Sequence, residues 1–230
     1  MNNYDRLIIE LAKRLTSAIS HNNAVSVKEL LDTVTANSCG LRDLMMHQDD
    51  FRGCLLDTVA AKSGFVLRDL LMHQDWFGRS VLYIAVVEGN LEVVNALLKS
   101  AEKEGVVLDL VLLPDKIGGS CLWEFLNTRD PHNPLHKNDL DVMQALLDVG
   151  GKPLVMMMTR SGNNCLHRAM RLRNLEIVNL LLRFGGGELA ENKNIHGISP
   201  LKIALQQKRQ YGNSEIVDTL LDDIGRGSTI

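Results

Sequence analysis

Cys165 and His167 are the two residues whose types and proximity best suit nucleophilic chemistry, a thiol and an imidazole one residue apart. On a helix start, however, residues two apart do not share a face, so the two side chains diverge. His132 and His136 lie with Asp130 in one short stretch whose spacing would suit a metal on a helix. Pro131 and Pro134 interrupt a regular helix there. His47 and His73 occupy near-copies of one segment, so duplication accounts for both. There is no glycine-rich phosphate loop and no Gly-x-Ser-x-Gly elbow. The residues therefore point to no catalytic group, no metal and no cofactor.

The bulk chemistry is that of a folded chain with no strong charge bias. Of 230 residues, 45% are hydrophobic, enough to bury a sizeable core. The 25 basic and 28 acidic residues give a net charge of −3, which argues against a nucleic-acid binder. The four cysteines, Cys39, Cys54, Cys121 and Cys165, form no Cys-x-x-Cys pair and have small or apolar neighbours, as reduced, buried thiols do. The N-terminus does not open as a signal peptide, because Glu10, Lys13 and Arg14 break its apolar stretch. No apolar run reaches the ~20 residues that span a bilayer. The expectation is a soluble, cytoplasmic monomer.

Self-comparison identifies the elements that must position any functional side chain. The segments from Asn90 to Leu98, Asn174 to Leu182 and Asn213 to Leu221 read alike, and Asp139 to Leu147 fits the same template. Each opens with a capping residue, carries an early carboxylate and then repeats apolar residues at helical spacing. Upstream lies a second shared pattern, from Gly78 to Ala85, Gly162 to Ala169 and Gly197 to Ala204, with a weaker copy from Gly118 to Phe125. Glycine supplies a turn, Ser or Asn a cap, and Pro200 falls where a first helical turn accepts it.

These paired patterns resemble the ankyrin repeat, Asp-x-x-Gly-x-Thr-Pro-Leu-His-x-Ala followed by Gly and a Val-x-x-Leu-Leu helix. Asp75, Gly78, Ser80, Leu82, Ala85, Gly89, Val94, Leu97 and Leu98 carry it best, and the copy from Thr159 adds His167. The resemblance implies an all-α ankyrin-repeat solenoid over residues 1–230. It would comprise an N-terminal helical cap at 4–36, a degenerate or shortened repeat at 37–74 and a repeat at 75–106. A repeat with an insertion at 107–152, a repeat at 153–188 and a C-terminal repeat at 189–230 would follow. The near-identity of Leu41–Asp49 and Leu67–Asp75 marks the shortened unit. Extra residues within Asn127–Asn138 and around Gln207–Tyr211 are expected as loops. The resemblance also places Cys165 where the repeat has proline, and His167 where its structural histidine bonds the neighbouring turn.

The implied function is binding of a partner protein through a concave surface, as an adaptor or scaffold. A bacterial effector engaging a host protein, in the host cytosol, is the alternative, and a cryptic hydrolase using Cys165 a third. No nucleic acid, membrane or small-molecule substrate is expected. The family's contact positions map to Gln74, Trp76, Phe77, Arg79 and Glu88, then to Lys116, Ile117 and Asn127. Further along they map to Arg160, Asn163 and Arg171, and finally to Ile195 and His196. Trp76 and Phe77 at a turn tip invite a partner, or one of them folds back on the adjacent repeat. Arg160, Arg168, Arg171 and Arg173 would face an acidic partner or form a solvated, salt-bridged helix face.

Overall fold

A computed structural model describes residues 3–35, 66–130, 137–212 and 214–227, and their regular structure is helical throughout. The chain divides into two compact units, Met1–Leu110 and Val111–Ile230.

In the first unit, α1 (Asn3–Ser20) presents Leu7, Leu11, Leu15 and Ile19 at helical spacing, and all four are buried. Asn22 turns the chain with φ +55° and Asn23 accepts from the Ser26 N–H at 3.0 Å, which starts α2 (Ala24–Thr35). A short helix, α3 (Val66–Met72), buries Val66, Leu67, Leu70 and Leu71, and Tyr4 donates to its Asp69 at 2.7 Å. The pair α4 (Val81–Glu88) and α5 (Leu91–Lys103) completes this unit. Helix α1 packs directly on α4 and α2 on α5, with α3 against both pairs. Of the shortened repeat at 37–74, residues 37–65 lie outside the described ones, together with Cys39, Cys54 and His47.

After the short α6 (Val107–Val111), the second unit repeats the same plan. Inner helices α7 (Cys121–Thr128), α9 (Cys165–Leu172) and α12 (Pro200–Tyr211) alternate with α8 (Lys137–Met156), α10 (Leu175–Gly185) and α13 (Glu215–Gly227). A single turn, α11 (Glu188–Glu191), precedes the last pair. Helix α8 breaks at Gly151, whose φ of +51° is outside the helical range, two residues before Pro153. Ala169 and Ala204 are buried where neighbouring inner helices meet, and Ala85 takes the same place in the first unit.

The extra residues in the last repeat do not form a loop. They lengthen α12 to 12 residues, against eight in α4, α7 and α9. Gln207 to Gln210 are good helix formers, and the helix stops only at Gly212, a left-handed C-cap with φ +77°. The other insertion lies partly outside the described residues, at 131–136, which include His132 and His136. Its flanks are tied: Arg129 pairs with the buried Asp139 at 3.0 Å and lies 4.0 Å from the Phe125 ring centre.

Candidate partner-binding surface

Among the described residues four tight turns precede the inner helices, and one backbone geometry serves all of them. Asp75, Asp115, Thr159 and Asn194 each donate their N–H four residues ahead, to Arg79, Gly119, Asn163 and Ile198, at 2.9–3.0 Å. The glycine at the fourth position, Gly78, Gly118, Gly162 or Gly197, has φ between +66° and +80° and donates back to the first residue. Only glycine reaches that region without strain. The first side chain also holds the turn: Asp75 Oδ1 accepts from the N–H groups of Phe77 and Arg79, and Asn194 Oδ1 from those of His196 and Ile198.

In the second unit successive turns are joined through the main chain. Arg160 N–H donates to Ile117 O at 2.8 Å, and Ile195 N–H to Ser161 O at 3.1 Å. Asn194 Nδ2 adds a bond to Asn163 Oδ1 at 3.0 Å. The tips are thereby spaced by backbone bonds, leaving their side chains outward.

Those side chains include large apolar groups. Trp76 is 82% exposed, Phe77 62%, Ile195 68% and Ile117 49%. Neither aromatic is folded under its neighbour, although the Arg79 guanidinium lies 4.9 Å from the Phe77 ring centre. Lys116, Arg160, His196, Arg171 and Glu88 are also exposed. Other expected contact residues also make bonds within the turns and helices. Gln74 Nε2 donates to Gly78 O at 2.6 Å, and Arg79 pairs with Asp75 at 2.7 Å. Partial burial raises the Asp75 pKa, but the side-chain and backbone bonds from Arg79 and Phe77 and the Arg79 charge outweigh it, holding the carboxyl below its ordinary value. Asn163 links two turns, and Asn127 Nδ2 donates to Glu124 at 3.0 Å while its carbonyl accepts from Arg168 at 2.9 Å.

Grooves adjoin the turns in each unit. In the first unit an open groove of about 590 Å³ runs between α1 and the turn at Asp75, lined by Ile9, Ala12, Trp76, Val81 and Ile84 among others. In the second, about 300 Å³ lies along the inner helices beside Trp123, His167, Arg168, Arg171, Ile203 and Gln207. Sequence reading missed Trp123 and Gln207. Trp123 follows Leu122 as His167 follows Leu166, so its register marks an inner-helix position of the same kind.

Cys165 and His167 form no nucleophilic couple. The Cys165 thiol is fully buried, and burial pushes its pKa up to about 12 despite the 3.9 Å contact with Ser120 Oγ. The imidazole is occupied at both nitrogens. Nε2 meets Ile198 O in the next turn at 3.0 Å, while Nδ1 lies 2.7 Å from Asn164 Oδ1 and 3.2 Å from Asn164 N–H. Asn164 Oδ1 in return accepts from His167 N–H, closing a capping box. Burial is the leading cause that lowers the His167 pKa, outweighing the bond to Ile198.

The family models decide the kinship. The model for ankyrin repeats (3 copies) matches residues 132–228, and the single ankyrin-repeat model matches residues 77–104. The chain belongs to the ankyrin-repeat family. No curated protein matches it. Ankyrin repeats are in general protein–protein interaction modules, and the turns described above are the fingers of this array. His167 bridges consecutive ankyrin repeats through Ile198, and Cys165 fills the repeat's proline position at the first turn of α9. Among the described residues no helix is long and apolar enough to cross a membrane.

Proposed function

We propose that this ankyrin array is an adaptor that holds a partner protein on its finger tips and inner-helix faces. The observation that supports this reading most directly is the exposure of Trp76 and Phe77, side by side at a tip whose backbone is already satisfied. Large aromatics left in water at a rigid turn are the side chains from which interface hot spots are made. Lys116 and Ile117, Arg160, and Ile195 and His196 occupy the equivalent tips and vary in chemistry, which would give specificity. Asn127, Asn163, Arg171 and Glu88 would lie at the margins of the contact.

A pull-down comparing the native chain with Trp76→Ala/Phe77→Ala tests the assignment. The variant should fold normally and lose partners; a folded variant that keeps every partner would overturn it. An adaptor and a host-directed effector would use this same surface. They differ in which cell supplies the partner, so parallel pull-downs from bacterial and eukaryotic lysates separate them.

A further inference from the structure

The repeat containing α9 carries an unbalanced charge. Between Asp148 and Glu176 the sequence has no carboxylate side chain, yet it holds Lys152, Arg160, Arg168, Arg171 and Arg173. Its finger even begins with Thr159 where two others begin with Asp75 and Asp115. A solvated surface would ordinarily pair such charges, as the structure does elsewhere. Arg14 pairs with Glu10, Arg79 with Asp75 and Arg129 with Asp139. None of Arg160, Arg168, Arg171 and Arg173 is ion-paired with a described carboxylate.

Arg168 and Arg171 both line the 300 Å³ groove, and its lining contains no acidic residue. Arg168 spends Nη2 on Asn127 O, while its Nε is covered and without an acceptor. The indole Nε1 of Trp123, in the same lining, is likewise covered and unpartnered. Unsatisfied buried donors are unfavourable, and adjacent like charges add to that. Burial first, then the Arg171 charge, depress the Arg168 pKa, and the Glu124 charge, outside the groove lining, offsets this only in part. Burial lowers the His167 pKa, and Ile203 adds an apolar side chain to the lining.

We infer that this groove receives an acidic segment of the partner protein, with a carboxylate side chain meeting Arg168 and Arg171. The inference rests on the protein-binding reading and names the partner's chemistry. A planar carboxylate matches a guanidinium edge in two parallel hydrogen bonds. The volume suits one or two side chains and not a folded surface. A nucleic-acid backbone fits less well, since the chain as a whole carries a net charge of −3.

The probe is a short fluorescein-labelled peptide of alternating glutamate and glycine, with glutamine and phosphoserine counterparts, titrated against the full chain. The glutamate peptide should bind in a salt-sensitive manner, and Arg168→Gln/Arg171→Gln should weaken it about tenfold or more. Arg171→Gln alone removes an exposed side chain and guards against a folding defect; it should weaken binding by itself. Arg183→Gln, on α10, should leave affinity unchanged. Equal affinity for the glutamine peptide, an unaffected Arg171→Gln, or clear preference for phosphoserine or for single-stranded DNA would overturn the assignment. The Trp76→Ala/Phe77→Ala variant separates the two readings, because it should bind the glutamate probe normally. Loss of partners without loss of probe binding tests the tip, and absence of probe binding tests the groove alone.

Discussion

The Arg173 guanidinium lies 3.6 Å from the centre of the Tyr211 ring, joining the end of α9 to the added turn of α12. Arg173 also sits in the left-handed region, with φ +50°, at the position where the first clear repeat has Gly89 at φ +74°. A non-glycine residue there is strained by roughly 1–2 kcal/mol, and the stacking returns about 0.5–1 kcal/mol. Arg173→Ala keeps the strain and loses the ring, so it should be destabilising. Arg173→Gly loses the ring but relieves the strain, and should unfold at a higher urea midpoint than Arg173→Ala. The reverse order would show that the strain is not present.

The finger glycines should differ in sensitivity. A Cβ on Gly162 would come 3.0 Å from Asn194 Cα and 3.1 Å from Ile195 N, whereas one on Gly197 would meet nothing within 4 Å. Both positions have positive φ. Gly197→Ala should therefore cost about 1 kcal/mol in backbone strain alone, and Gly162→Ala more, because backbone must move as well. Chemical denaturation of the two variants checks the ranking.

Low pH should loosen the second unit through His167. Its folded pKa lies below the ordinary 6.5, so as pH falls the unfolded chain takes up the proton first. Stability should decline below about pH 6.5 and be independent of this group above it. His167→Gln should be less stable at neutral pH, from loss of the bond to Ile198, and show a shallower decline towards pH 5.5. A variant with an unchanged slope would remove His167 from the explanation.

Core and tip substitutions should separate cleanly. Leu97 and Leu181 are fully buried, and truncation of either to alanine should cost about 2–5 kcal/mol. Because a repeat depends on its neighbours for its core, the loss should spread to adjacent repeats in hydrogen exchange. Trp76→Ala and Phe77→Ala should leave the thermal midpoint nearly unchanged, since both side chains are mostly in water.

The helices were legible because capping residues and apolar spacing act locally. Ser80, Asn90, Ser120, Asn164, Asn174 and Ser199 all cap as their positions imply. The fingers were legible from glycine for the same reason. The added turn of α12 was not, since treating extra residues as a loop ignored the helix propensity of Gln207 to Gln210. The groove was legible only in part. Arg168 and Arg171 stood out as part of an arginine cluster that would face an acidic partner or form a salt-bridged face, but the covered indole of Trp123 and the missing ion pairs depend on tertiary placement, which no local pattern encodes.

The main-chain bonds between fingers, Arg160 to Ile117 and Ile195 to Ser161, carry a consequence for how the array can change. Spacing between tips is written in backbone atoms that every residue possesses, so a tip side chain can be exchanged without altering the interval to the next. The protein thus has a fixed ruler with replaceable lettering. A new partner could be acquired by substitutions at positions such as Lys116, Arg160 and Ile195 while the distances it must match stay the same.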